Sequence, residues 1–125
     1  MKKVIILLSL LIMLTALSAN GIEQKTLSNG MQIIAKENRL NESVGFYCFV
    51  KTGSNNEGRF LGAGISHYLE HIVSSGATSY HTEEEYQKMS QEMGALVNAY
   101  TTNVITAFHI EVEKQYEDKA LQILS

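Results

Sequence analysis

Five consecutive residues, His67-Tyr68-Leu69-Glu70-His71, are the part of this chain best suited to chemistry. On a helix, residues three and four apart share a face. His67 and His71 therefore project side by side, one turn apart, with Glu70 on the same side. Two imidazole nitrogens at that spacing suit one tetrahedral zinc ion. Such an ion would lower the pKa of a bound water toward neutrality and polarise a scissile carbonyl. Glu70 is then the general base that takes the water proton and hands it to the leaving amine. Tyr68 and Leu69 point elsewhere. The order HxxEH is the reverse of HExxH. A His–Glu ion pair on a solvated helix face would leave the same letters, so the surroundings must weigh between the two readings.

The motif needs a helix to carry it. Leu61 to Ser74 reads as one, with Leu61, Ile65, Leu69 and Ile72 at helical spacing and expected to face a core. Gly76 ends it, and Gly53 to Gly58 is a loop by composition. A second helix is expected over Thr82 to Met93. Thr82 and Glu85 form a capping box there, Glu83 and Glu84 suit the positive end of the helix dipole, and Tyr86, Met89 and Met93 make an apolar stripe. Residues 114 to 125 begin a third helix, with Tyr116, Ala120, Ile123 and Leu124 on one side.

Strands account for the rest. Ile22 to Leu27 and Met31 to Lys36 read as a hairpin joined through Asn29-Gly30, a dipeptide that accepts positive φ. In residues 43 to 52, Val44, Phe46, Cys48 and Val50 share one face while Tyr47 and Phe49 lie on the other, so both faces are expected to be covered. Two further strands are expected at about 95 to 101 and 104 to 112. The order implies an α+β fold, a mainly antiparallel sheet with helices packed on one face. The last helical pattern has no C-cap signal, so the architecture reads as incomplete at the C-terminus.

Composition narrows the class. Of 125 residues, 45% are hydrophobic and 18% charged, the balance of a globular chain. Lys2 and Lys3 precede an apolar run from Val4 to Leu17, and Ala16-Leu17-Ser18-Ala19 offers small residues for a signal peptidase. Residues 1–19 are therefore read as an export signal, and the run is short for a bilayer span of about 20 residues. A periplasmic or secreted bacterial location follows, with no stable membrane span after signal removal. Of the 10 basic side chains two lie in that leader, leaving 8 against 13 acidic ones, net −5, which is no footprint for nucleic acid. Cys48 is the only cysteine, cannot form an internal disulfide, and reads as a small buried hydrophobe.

From Gly53 to Ser125 the sequence resembles the pitrilysin and insulysin family of zinc peptidases, the inverzincins, which includes mitochondrial processing peptidase. The resemblance rests on Gly53-Ser54 and Glu57, on Gly62-Ala63-Gly64-Ile65-Ser66 before HxxEH, and on Gly76-Ala77-Thr78-Ser79-Tyr80 after it. It also rests on Met93-Gly94-Ala95-Leu96-Val97-Asn98-Ala99-Tyr100-Thr101. It implies that residues 20–125 are the N-terminal part of a zinc metalloendopeptidase catalytic domain, a half-domain of the processing-peptidase type. It implies His67 and His71 as zinc ligands and Glu70 as base. Asn98 and Ala99 fall on the strand against which family members lay an extended peptide or unfolded segment. The third metal ligand, a Glu on a later helix in the family, is expected beyond Ser125. His81, His109 and Glu83 to Glu85 are weaker substitutes. A homologous second half or partner subunit is also implied. The alternative from another class is a non-catalytic peptide-binding subunit of a processing peptidase, against which the intact motif speaks.

Overall fold

The computed structural model describes residues 21–124, so the export signal expected over residues 1–19 lies outside the described residues. The chain divides into two units at the Asn41–Glu42 boundary. Among the described residues no helix is long and apolar enough to cross a membrane.

The first unit is an antiparallel hairpin, β1 (Ile22–Thr26) against β2 (Gln32–Lys36), with Ile22 opposite Lys36 and Thr26 opposite Gln32. Its turn runs through Ser28-Asn29-Gly30, closed by the Leu27 N–H donating to Met31 O at 2.8 Å, and the positive φ expected there falls on the glycine. Gly30 takes φ +85°, while no described non-glycine residue has a positive φ, Asn29 included. The Gly30 N–H donates to Leu27 O at 2.9 Å and the Met31 N–H to Asn29 Oδ1 at 3.0 Å. A turn that asks only its glycine to be left-handed closes the hairpin.

The second unit holds β3 (Ser43–Val50), α1 (Ile65–Ser74), α2 (Glu83–Glu92), β4 (Leu96–Thr101), β5 (Thr106–Glu113) and α3 (Glu117–Leu124). The sheet order is β3-β5-β4, antiparallel throughout, with β5 in the centre. Partners across an antiparallel ladder share a face. Val44 opposite Val112, Phe46 and Val97 opposite Ile110, and Thr101 opposite Thr106 therefore mark one face. On it Ile110, Val112, Met93 and Ala120 form the buried core, flanked by Val44, Phe46, Tyr116, Ile123 and Leu124. The helical side expected for Tyr116, Ala120, Ile123 and Leu124 is thus the side that packs, although a 3₁₀ turn at Lys114–Tyr116 precedes α3.

The other face of the sheet carries Tyr47, Phe49, His109, Glu111, Leu96, Asn98 and Tyr100, and it is open. Tyr47, Phe49, Leu96 and Tyr100 are all exposed, contrary to the expectation that both faces of β3 are covered. Cys48, on the helix-bearing face, is half-buried rather than buried.

Two further expectations are corrected at α1. It starts at Ile65, not Leu61, because Gly62 (φ +89°) and Gly64 (φ +73°) stand in the left-handed region and break the helical run. Two 3₁₀ turns, Ser54–Asn56 and Gly58–Phe60, fill the preceding segment. Leu61, Ile65, Leu69 and Ile72 do not face the core and are exposed. The side turned inward is Ser66, Glu70 and Ser74, four residues apart. Periodicity identified an apolar face correctly but not which way it points.

Candidate active site

The elements that hold α1 in place begin at Gly53. A Cβ there would lie 2.2 Å from Thr102 O and 2.7 Å from Val104 N, so only glycine lets this backbone meet the β4–β5 turn. The contact is fixed by Ser54 N–H to Thr102 O at 3.1 Å and Asn55 N–H to Asn103 O at 2.9 Å. The turn that follows delivers Glu57 to the start of α1. Gly64 is the N-cap residue and has no side chain with which to accept a first-turn N–H. Glu57 takes that role from nine residues away, Oε1 accepting the Ser66 N–H at 2.9 Å. The Ser66 N–H above all, then the Ser66 hydroxyl and the Gly64 and Gly62 N–H groups, hold the Glu57 carboxyl below the usual carboxylate range. They do so against burial, which pushes the other way.

Along α1 the five-residue motif adopts the geometry its spacing implies. His67 Nε2 and His71 Nε2 lie 3.1 Å apart, with ring centroids 4.7 Å apart. Two nitrogens each at about 2.0–2.1 Å from a tetrahedral ion would be about 3.3–3.4 Å apart. The pair therefore fits one zinc with a shift of tenths of an ångström. Glu70 Oε2 is 3.8 Å from His67 Nε2, and the ligand atoms of all three residues lie within 4.8 Å of one another. The imidazoles are accessible, while the Glu70 side chain is only 6% exposed. A buried carboxylate needs a donor. Thr101, at the end of β4, donates its hydroxyl to Glu70 Oε2 at 3.2 Å.

The remaining expected site residues are placed elsewhere. Asn98 and Ala99 lie on β4, an edge strand of the sheet. Asn98 is on the open face, away from Glu70, and its Oδ1 accepts the Ala99 N–H at 2.9 Å; Ala99 shares the face of Thr101. None of the substitute ligands joins the cluster, which among the described residues is His67, Glu70 and His71. His81 is held in a turn through its carbonyl, which accepts from the Thr78 N–H at 2.9 Å. Glu85 closes the capping box with Thr82, its N–H donating to Thr82 Oγ1 at 3.2 Å and Oε2 accepting the Thr82 N–H at 2.8 Å. His109 stacks on Tyr47 on the open face, ring centroids 5.1 Å apart. Tyr47 also donates to Glu111, whose acceptance of that hydroxyl proton holds the phenol above its ordinary range.

Thr101 and Glu57 had no functional signal in the sequence beyond their place in the resemblance. Glu70 and Thr101 are 31 residues apart, and no local pattern joins them.

The family model for insulinase, peptidase family M16, matches residues 32–125. The chain belongs to this family. Relatives bear it out. The "uncharacterized zinc protease YmxG" of Bacillus subtilis is 32% identical over 104 residues, which is 83% of this chain and 25% of that protein. The beta subunit of mitochondrial-processing peptidase from Dictyostelium discoideum is 31% identical over 100 residues, 80% of this chain and 21% of the subunit. A crystal structure of a protease from Helicobacter pylori superposes with a TM-score of 0.72 at 30% identity, over 82% of this chain and 24% of that one. The chain thus spans about a quarter of the length of these family members. Relatives named as zinc proteases imply zinc for the family, and the trio His67, Glu70 and His71 has the donor chemistry to accept it.

Proposed function

We propose that this chain is the metal-binding part of an exported zinc metalloendopeptidase that hydrolyses peptides or unfolded segments. His67 and His71 act as zinc ligands and Glu70 as general base. The observation that carries the reading is the 3.1 Å separation of the two Nε2 atoms with a buried carboxylate oxygen 3.8 Å from one of them. Bound zinc would supply Lewis acidity toward the scissile carbonyl and the attacking water.

The chain's own residues do the rest. His67 and His71, fixed at one helical turn, hold the ion at an accessible surface that a substrate can reach. Glu70 accepts the proton of the attacking water at Oε2 and returns it to the leaving amine. An ion held by two imidazoles lacks the third protein ligand of a catalytic zinc site. We assign that ligand to a region of the protein outside these 125 residues. An extended substrate would pair with the backbone of β4 at Asn98 and Ala99, because an edge strand has one side off the ladder, and a substrate carbonyl would replace Asn98 Oδ1 as acceptor of the Ala99 N–H. A homologous second half or a partner subunit would complete the substrate-binding surface. The positively charged and apolar leader over residues 1–19 supports export to the periplasm or medium.

The test is Glu70→Gln in the full-length protein. The variant should keep its zinc and lose cleavage of a quenched-fluorescent peptide. Near-normal hydrolysis by it would remove Glu70 from the chemistry.

A further inference from the structure

We infer that Thr101 is a positioning residue that aims the Glu70 carboxylate, its proton free for that task because the neighbouring Thr106 hydroxyl gives its own to the Thr52 carbonyl. The inference rests on the reading of Glu70 as general base.

Three contacts form a line under α1. Thr101 Oγ1 is 3.2 Å from Glu70 Oε2, Thr101 Oγ1 is 3.4 Å from Thr106 Oγ1, and Thr106 donates to Thr52 O at 2.9 Å. A hydroxyl has one proton to give. The Thr106 proton is committed to the Thr52 carbonyl, so toward Thr101 this hydroxyl can only accept. The single Thr101 proton then has two acceptors, a carboxylate at 3.2 Å and a neutral hydroxyl at 3.4 Å. The charged acceptor is the stronger and the nearer. The proton points at Glu70.

The supports are rigid. Thr101 and Thr106 are cross-strand partners on the helix-bearing face, and Thr106 is buried. Thr52 lies just past the end of β3 and its carbonyl holds the Thr106 hydroxyl, while the β4–β5 ladder holds the Thr101 backbone beneath one oxygen of α1. Glu has three side-chain torsions and needs such a tether to keep one oxygen directed at the space beside His67. A group that must receive a proton along one direction gains from being fixed before substrate arrives.

The experiment uses the full-length protein with Thr101→Val, Thr101→Ala and Thr101→Ser. Zinc affinity is read by competition with a chromophoric chelator, and folding by thermal unfolding. Val and Ala variants should bind zinc within about 2-fold of wild type. Their kcat on a quenched-fluorescent peptide should fall about 10-fold or more with little change in KM, the loss of one charge-assisted hydrogen bond. Thr101→Ser, which restores the hydroxyl, should recover most of the rate. In a Glu70→Gln background Thr101→Val should cause no further loss, because the two residues act as one unit. A folded, zinc-loaded Thr101→Val or Thr101→Ala enzyme with wild-type kcat would overturn the inference. So would a Ser variant as slow as the Val variant, or a full additional loss in the Glu70→Gln background. Should Glu70→Gln itself stay active, the base assignment fails. Loss with Glu70→Gln but not with Thr101→Val leaves that assignment intact and removes the positioning role alone.

Discussion

The Glu57 carboxylate accepts the N–H of Ser66 at 2.9 Å, and Ser66 is the residue immediately before His67. A side chain outside the helix therefore caps the helix that carries the metal motif, because the N-cap position itself is a glycine. The interaction has a pH signature. The folded-state pKa of Glu57 is lowered, so its contribution is fully present above the ordinary carboxylate range, about 4.3. It is lost as pH falls through the lowered folded value. Wild type should be more stable than Glu57→Gln near neutrality, and the two melting temperatures should converge as pH drops from about 5 to about 3. Parallel curves over that range would show that Glu57 does not act as a charged cap.

Removing either imidazole should empty the metal site. His67→Ala and His71→Ala should each weaken zinc binding by more than about 100-fold, the upper end of what losing a mere supporting group costs. Tyr68→Ala should leave binding unchanged, since Tyr68 sits between the ligands in sequence yet is 69% exposed and outside the cluster. Chelator competition measures all three. Treating the full-length protein with a strong chelator should stop peptide cleavage, and added zinc should restore it.

Gly53→Ala tests whether the loop before α1 is held by close backbone contact. Its Cβ would stand 2.2 Å from Thr102 O, where no flexible side chain can move aside. The expected cost is about 1–3 kcal/mol of stability, as for overpacking elsewhere. Zinc affinity should fall with it, because the same turn carries Glu57. Ser54→Ala removes only an exposed hydroxyl contact to Asn103 Oδ1 at 2.9 Å and should stay within about 0.5 kcal/mol of wild type. Denaturant titration separates the two cases, and equal midpoints would sink the argument.

The core of the second unit should be far more sensitive than the hairpin. Ile110 is 1% exposed in the central strand, so Ile110→Ala should cost about 2–5 kcal/mol. Ile34→Ala, at 65% exposure on β2, should change stability by no more than about 0.5 kcal/mol. A hairpin substitution as costly as the core one would mean that β2 is covered in the full-length protein.

The sequence by itself determined what depends on near neighbours. The one-turn spacing of His67, Glu70 and His71 follows from helix geometry alone. The Thr82–Glu85 capping box, the alternation of β3 and β5 and the packing side of α3 also arise within a few residues. Only the tertiary structure decided what depends on distant partners. It turned the polar stripe Ser66, Glu70 and Ser74 toward the sheet and left Ile65, Leu69 and Ile72 outside. It put β5 between β3 and β4, which places the Thr101 and Thr106 hydroxyls beneath Glu70 and Asn98 on the opposite face. The physical reason is that periodicity marks a face of a helix or strand without naming its partner. Strand order and long-range hydrogen bonds are settled by which surfaces bury one another when the chain closes, and no window of neighbouring residues records that choice.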